Sequence, residues 1–145
     1  MEESQHITVL LDETIEGLAI KAGGVYVDCT LGGGGHSERI CQALSEDGRL
    51  IGIDQDDYAI ARAEKRLQPY PCNKIFVKDN FKNLDKVLSA LQVDRVDGIV
   101  FDLGVSSFQF DQAERGFSYR FDGPLDMRMD PQGTLTAEMV VNEYP

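Results

Sequence analysis

The stretch Val25–Ser37, reading Val-Tyr-Val-Asp-Cys-Thr-Leu-Gly-Gly-Gly-Gly-His-Ser, narrows what this chain can fold into more than any other. It reads as a short buried strand, a glycine turn and the first residues of a helix. Gly32, Gly33, Gly34 and Gly35 remove every Cβ from the turn, so its backbone is free to take positive φ and to lie directly against a ligand. The helix that follows presents unpaired N–H groups at its start. Asp28 ends the strand, with a carboxylate expected to face the same space. The combination suits a small polar ligand held by backbone and does not by itself say which one.

The same alternation continues along the chain. Leu11, Ile15, Leu18 and Ala19 fall on one helical face ahead of Gly23-Gly24. Ser37 to Ser45 predicts a helix with Ile40, Cys41 and Leu44 inward. Arg49–Asp54 is a near-continuous apolar run closed by an acid, as in a parallel strand covered on both faces. Asp57 is expected to cap a helix through Leu67, with Ala59, Ile60, Ala63 and Leu67 inward. Lys74–Lys78 reads as a strand. Asn80 is expected to cap a helix carrying Phe81, Leu84, Val87, Leu88 and Leu91, and Val96–Asp102 reads as a fourth strand. Regular alternation of this kind predicts an α/β fold, a parallel sheet with right-handed crossovers and helices on both faces. Ligands of such sheets sit outside the carboxyl ends of the strands, near the switch point. Asp28, Asp54 and Asp102 occupy those ends.

Composition bounds the partners. With 145 residues the chain is one domain or a piece of one. The sheet core is expected over about 24–104, a substrate-side loop over about 105–131 and the start of a helical segment over about 134–145, where Thr136–Asn142 looks like a helix beginning. A four-stranded sheet would leave an apolar edge unpaired, so the reading is the N-terminal part of a longer protein, incomplete at its C-terminal side. A formal net charge of -11 opposes non-specific binding to nucleic acid, and any such partner needs a local basic site. Between Leu103 and Pro131 lie Phe108, Phe110, Phe117, Tyr119 and Phe121, with Arg115, Arg120 and Arg128 interleaved. Such residues can stack a splayed-out base. They can equally pin a loop on itself, with the arginines paired to Glu114, Asp122, Asp126 and Asp130. Cys29, Cys41 and Cys72 read as free thiols, and no metal site is expected. No apolar run approaches the roughly 18 residues a membrane-spanning helix needs. Met1–His6 is acidic and polar, unlike a secretory signal, so a cytoplasmic location is expected.

Two ligands compete for the glycine turn. A dinucleotide fingerprint wants G-x-G-x-x-G/A with a ribose-binding acid further on. Gly32 and Gly34 match, Asp54 is well placed, and Ser37 stands where the third glycine should be. An NAD(P)-dependent oxidoreductase is therefore one reading. The other is S-adenosylmethionine, which has no pyrophosphate and carries a cationic sulfonium. Asp28 ahead of the glycines suits that cation and would repel a pyrophosphate, so the residues favour the methyl donor.

Five segments then resemble one family closely: Asp28–Ser37, Gly52–Asp56, Asp102–Ser107, Glu114–Ser118 and Asp122–Asp130, together with His6–Leu11. The family is the bacterial small-subunit rRNA cytosine-N4 methyltransferases (RsmH, formerly MraW). The resemblance covers essentially all of the chain, and the run from Arg115 to Asp130 is its most specific part. It implies a Rossmann-like class I methyltransferase that uses S-adenosylmethionine to methylate N4 of a cytosine in the decoding region of 16S rRNA, with the small ribosomal subunit as partner. By motif it carries cofactor contacts onto Gly34, Gly35, His36, Asp54, Phe81, Asp102 and Gln109, alongside Asp28 and Gly32 from the residue reading. The chain differs in having Phe108 where the family usually has proline, and the family continues well past Pro145. A cofactor-binding fragment, inactive without its other half, is thus a further reading. On chemical grounds Asp102 is the candidate to shape the methyl-acceptor site, with Ser106 and Ser107 as secondary acceptors. Arg115, Arg120 and Arg128 are the candidates for RNA.

Overall fold

The computed structural model describes Leu10 to Pro145, so the His6–Val9 part of the resemblance lies outside the described residues. The chain divides into two compact units, one ending at Leu103 and the other beginning at Gly104.

The first unit is a parallel sheet with helices on both faces. Strands β1 (Val25–Asp28), β2 (Arg49–Asp54), β3 (Asn73–Lys78) and β4 (Gly98–Val100) lie in the order β3-β2-β1-β4. The chain steps outward from β1 to β2 to β3, then returns to the other side of β1. The winding therefore reverses between β1 and β4, which is where such sheets bind ligands. In register, Asp28 of β1 lies beside Gly52 of β2 and Val100 of β4.

Successive strand residues face opposite sides, and the two sides hold separate cores. Tyr26 and Leu50 pack with Ile40 and Cys41 of α2 (Gly35–Ala43) and with Ala63 and Leu67 of α3 (Asp57–Leu67). Ile15 and Leu18 of α1 (Leu11–Leu18) join them from the rim. Val27, Ile51 and Ile53 pack on the other side against Val87 of α4 (Leu84–Ala90), with Leu84 and Leu88 beside it. Leu50, Ile51 and Ile53 are fully buried, which is why β2 reads as an unbroken apolar run. Each such side chain contributes about 1.5–3 kcal/mol.

Local chemistry shifts several boundaries from those the sequence suggests. The cap of α3 is Asp56, not Asp57: its extended backbone lets Oδ1 accept from the Tyr58 N–H at 3.1 Å. Asp57 is the first helical residue, and it accepts from Lys78 Nζ at 2.7 Å. Asn80 caps a 3₁₀ turn, Phe81–Asn83, before α4 begins. Strand β4 is shorter than the apolar run Val96–Asp102, because the chain leaves β1 after Val100. There the Asp102 N–H donates to Thr30 Oγ1 at 2.6 Å instead of to a strand.

The second unit contains α5 (Ser107–Asp111), a 3₁₀ turn (Ala113–Arg115) and α6 (Ala137–Glu143). Helix α6 is capped by Thr136, whose Oγ1 accepts from the Met139 N–H at 3.2 Å. Helix α5 has too few residues to show a period in sequence. No helix among the described residues is long and apolar enough to cross a membrane.

Gly52 ties the sheet to the turn. A Cβ there would lie 2.9 Å from Leu31 Cδ1 and 3.2 Å from Phe76 Cδ1. Leu31 is buried, and its N–H donates to the Ile53 carbonyl at 3.1 Å. Gly52→Ala is therefore expected to cost about 1–3 kcal/mol by overpacking, read as a lowered urea midpoint with an unchanged slope.

Candidate functional site

Two of the four turn glycines need their special backbone. Gly32 has φ 52° and Gly34 has φ 81°, where an L side chain is strained. Gly35 opens α2. The turn closes on itself through the Gly34 N–H, which donates to the Leu31 carbonyl at 2.8 Å.

Carboxylates hold the turn from inside. Asp54, at the end of β2, accepts from the Gly32 N–H at 2.8 Å and from the Asp56 N–H at 2.9 Å. The residue is partly exposed. Burial pushes its carboxyl above the ordinary range, against the lowering effect of the Gly32, Asp56 and Gln55 N–H groups, and the neighbouring Asp56 charge adds to the rise.

Asp28 does something other than the sequence suggests. It is 1 % exposed, and both oxygens are engaged inward: Oδ1 by the Thr30 N–H at 3.1 Å, Oδ2 by Ser37 Oγ at 2.7 Å. The expectation that its carboxylate faces the ligand space is corrected. Asp28 instead bolts the turn to the first turn of α2. Burial raises its carboxyl above the usual range, Ser37, Thr30 and His36 act to lower it, and Asp54 adds to the rise. Next to it, burial and then the Asp28 charge push the Cys29 thiol up to about 11, which suits a packing residue.

His36 and Asp102 meet where the winding reverses. His36 is buried, its Nδ1 lies 3.7 Å from Asp102 Oδ2, and its Nε2 has no hydrogen-bond partner among the described residues. The Asp102 side chain is 45 % exposed, so this carboxylate faces solvent while its backbone is held by Thr30. Asp28, Gly32, Gly34, Gly35, His36, Asp54 and Asp102 thus gather at the carboxyl end of β1 and its neighbours. Phe81, beyond β3, meets the Phe101 ring edge to face, with centroids 5.5 Å apart. Phe101 is half exposed. Sequence reading misses it, because the apolar run through Phe101 looks like strand interior.

Ser106, Ser107 and Gln109 belong to the second unit, where they start α5. Gln109 is buried, and its Oε1 accepts from the Ser106 N–H at 3.1 Å. The arginines divide. Arg128 Nε and Nη2 fork onto Asp126 at 2.8 and 2.7 Å, and Nη1 donates to the Gly133 carbonyl at 2.7 Å. That fork holds the Asp126 carboxyl below the usual range. Arg115 donates to the carbonyls of Arg128 and Met129 at 3.1 and 2.9 Å. Both arginines are thus held within the loop. Arg120 is exposed, between Tyr119 and Phe121.

The fold is shared with solved methyltransferases. An rRNA methylase from Streptococcus thermophilus superposes with TM-score 0.56 at 22 % identity, over 68 % of this chain and 57 % of that one. An S-adenosylmethionine-dependent O-methyltransferase from Thermotoga maritima gives TM-score 0.50 at 14 % identity, over 57 % and 32 %. The class is thus a Rossmann-like fold that solved methyltransferases share. Residues 3–145 match the model of the MraW methylase family, and the chain belongs to that family. It is 59 % identical to ribosomal RNA small subunit methyltransferase H of Clostridium botulinum (strain Kyoto / Type A2), over 98 % of this chain and 46 % of the relative. It is 58 % identical to the protein of the same name from Carboxydothermus hydrogenoformans, over 99 % and 45 %. The chain spans about half the length of the curated relatives it matches.

The Asp28 bolt has a testable pH signature. Its raised carboxyl means that stability is fully present below the unfolded-state pKa and is lost as pH rises through the folded one. The Ser37 hydroxyl offsets part of that loss by stabilising the ionised form. Ser37→Ala should therefore cost about 1–3 kcal/mol at neutral pH and less in acid, measured by urea unfolding at the two pH values. An equal loss at both would contradict the assignment.

Proposed function

We propose that the protein to which this chain belongs transfers a methyl group from S-adenosylmethionine to N4 of a cytosine in the decoding region of small-subunit rRNA. The observation that carries the cofactor is the turn's electrostatics. Asp54 and Asp28 are carboxylates whose burial disfavours the charge of their ionised forms, Asp54 being held by backbone N–H groups and Asp28 by Ser37, Thr30 and the nearby His36. A cationic ligand relieves that charge, whereas a pyrophosphate adds to it. His36 Nε2, buried and without a hydrogen-bond partner among the described residues, is a further unsatisfied polar atom beside the turn. When bound, the cofactor supplies an electrophilic methyl group. Gly32, Gly34 and Gly35 let it approach backbone, Asp54, a partly exposed carboxylate, accepts from ribose hydroxyls, and Phe81 with Phe101 offers an aromatic wall for the adenine.

The substrate half of the proposal rests on family membership and on the name its relatives carry. The exocyclic amine of cytosine is a weak nucleophile, since its lone pair is delocalised into the ring. The enzyme must accept a hydrogen bond from that N–H₂, orient it and take up a proton. Asp102 suits this role, being half exposed with its backbone fixed by Thr30. By the family resemblance alone, Gln109, Ser106 and Ser107 are secondary candidates. On the RNA side Arg120 is the candidate cation, flanked by Tyr119 and Phe121 for stacking.

Calorimetry tests the cofactor first. S-adenosylhomocysteine should bind this chain while NADH does not, and the reverse preference overturns the proposal. Because burial raises the Asp54 carboxyl, ionised Asp54 becomes available only as pH climbs through that raised value. Affinity for S-adenosylhomocysteine is thus expected to increase from acid to neutral pH and then level off. Methyl transfer to small-subunit rRNA tests the reaction in the protein of full family length. There Asp102→Ala should abolish turnover or cofactor affinity, and retention of both rejects its role. Arg120→Ala should lower the slope of log K against log salt for rRNA binding by about one. Arg128→Ala should leave that slope alone and lower the melting temperature of the second unit.

A further inference from the structure

We infer that Arg66, at the end of α3, is a positioning residue that latches the Gly33–Gly34 peptide in one orientation and so sets the ligand affinity of the turn. The inference rests on the cofactor reading above only for which ligand is involved. Arg66 Nη1 donates to the Gly33 carbonyl at 3.0 Å. Its Nε and Nη2 reach Glu38 Oε2 at 2.6 and 2.5 Å, in the first turn of α2. Its Cδ lies 3.6 Å from where a Cβ on Gly34 would sit, so the aliphatic stem also lines the turn. Tyr70 Oη donates to Glu38 Oε1 at 3.0 Å, which holds the carboxylate for the guanidinium fork.

The peptide plane makes this contact consequential. A peptide is planar, so fixing the Gly33 carbonyl fixes the Gly34 N–H on the opposite side. That N–H closes the turn onto the Leu31 carbonyl at 2.8 Å. Between two glycines a flip of this plane meets little steric resistance. A flip would break both bonds and loosen the turn against which the ligand lies. The Arg66 charge is balanced by Glu38, so the latch works without placing an unpaired cation against the acids that a cationic ligand needs. An ion pair exposed to this extent, 42 % and 24 % for the two side chains, contributes little to global stability. Its consequence is local.

Amide exchange and calorimetry on the full chain test the latch. In Arg66→Met the Gly34 amide should exchange about tenfold faster, while the Val27 and Ile51 amides of the core keep their rates. Affinity for S-adenosylhomocysteine should fall about tenfold in step. Arg66→Lys keeps the charge but cannot fork between Glu38 and the Gly33 carbonyl, and it should lie between the two. Arg62→Met, on the same helix, should change neither readout. An unchanged Gly34 exchange rate in Arg66→Met overturns the latch. Faster exchange with unaltered affinity overturns its link to the ligand. If the unsubstituted chain does not bind S-adenosylhomocysteine, the cofactor reading fails, and Gly34 exchange still decides the role of Arg66.

Discussion

Everything at the carboxyl end of the sheet depends on two carboxylates that grip backbone. Asp54 holds the Gly32 N–H and Asp28 holds the Thr30 N–H and the Ser37 hydroxyl. Four consecutive glycines would otherwise carry a large conformational entropy. The acids convert that freedom into one geometry, and they do so from strands β1 and β2, the most buried part of the molecule. The cost is electrostatic. Burial raises both carboxyls, and two ionised acids side by side destabilise each other. A site built this way is strained toward a positive ligand before any ligand arrives.

The same logic separates residues that touch a ligand from residues that hold those that do. Asp28 is buried with both oxygens committed, so it acts through Ser37 and Thr30. Thr30 in turn receives the Asp102 N–H, which links the turn after β1 to the segment after β4. Three points of one surface, the turn, His36 and Asp102, are thereby referred to a single carboxylate. A loss at Asp28 would spread to all three, although Asp28 itself is closed to solvent.

Much of this is legible in the chain, for a definite reason. Apolar runs of strand length and apolar faces of helical period signal burial directly, so the alternation of elements and the inward sets Ile40, Cys41, Leu44 and Ala59, Ala63, Leu67 can be read off. Acids at strand ends are legible as a pattern, but the direction of a side chain is not. Asp28 and Asp54 look equivalent in sequence and differ in burial, Asp28 being closed to solvent and Asp54 partly exposed. Contacts across long separations are equally silent. Nothing in the residues around Arg66 ties it to Gly33, and nothing in the run Val96–Asp102 marks Val100 as the last residue paired to β1. The cap of α3 illustrates a finer limit: Asp56 and Asp57 are both competent, and only backbone dihedrals choose between them.

The segment from Ala113 to Asp130 shows how one motif can hold two kinds of information. A Cβ at Gly116 would lie 2.2 Å from the Pro124 carbonyl oxygen, and one at Gly123 would lie 2.2 Å from that of Ala113. Residues 113–116 therefore lie backbone against backbone on residues 123–124. Arg115 and Arg128 tie the loop by donating to carbonyls, the Met127 N–H donates to the Arg115 carbonyl at 3.0 Å, and the Ala137 N–H joins α6 to Asp126 at 2.7 Å. Between these two segments the chain from Ser118 to Asp122 is left outward, with Tyr119 fully exposed. Glycines and bound arginines thus act as scaffold, and the side chains they present are Tyr119, Arg120 and Phe121. In a chain of net charge -11, this outward stretch therefore sets one cation between two exposed rings.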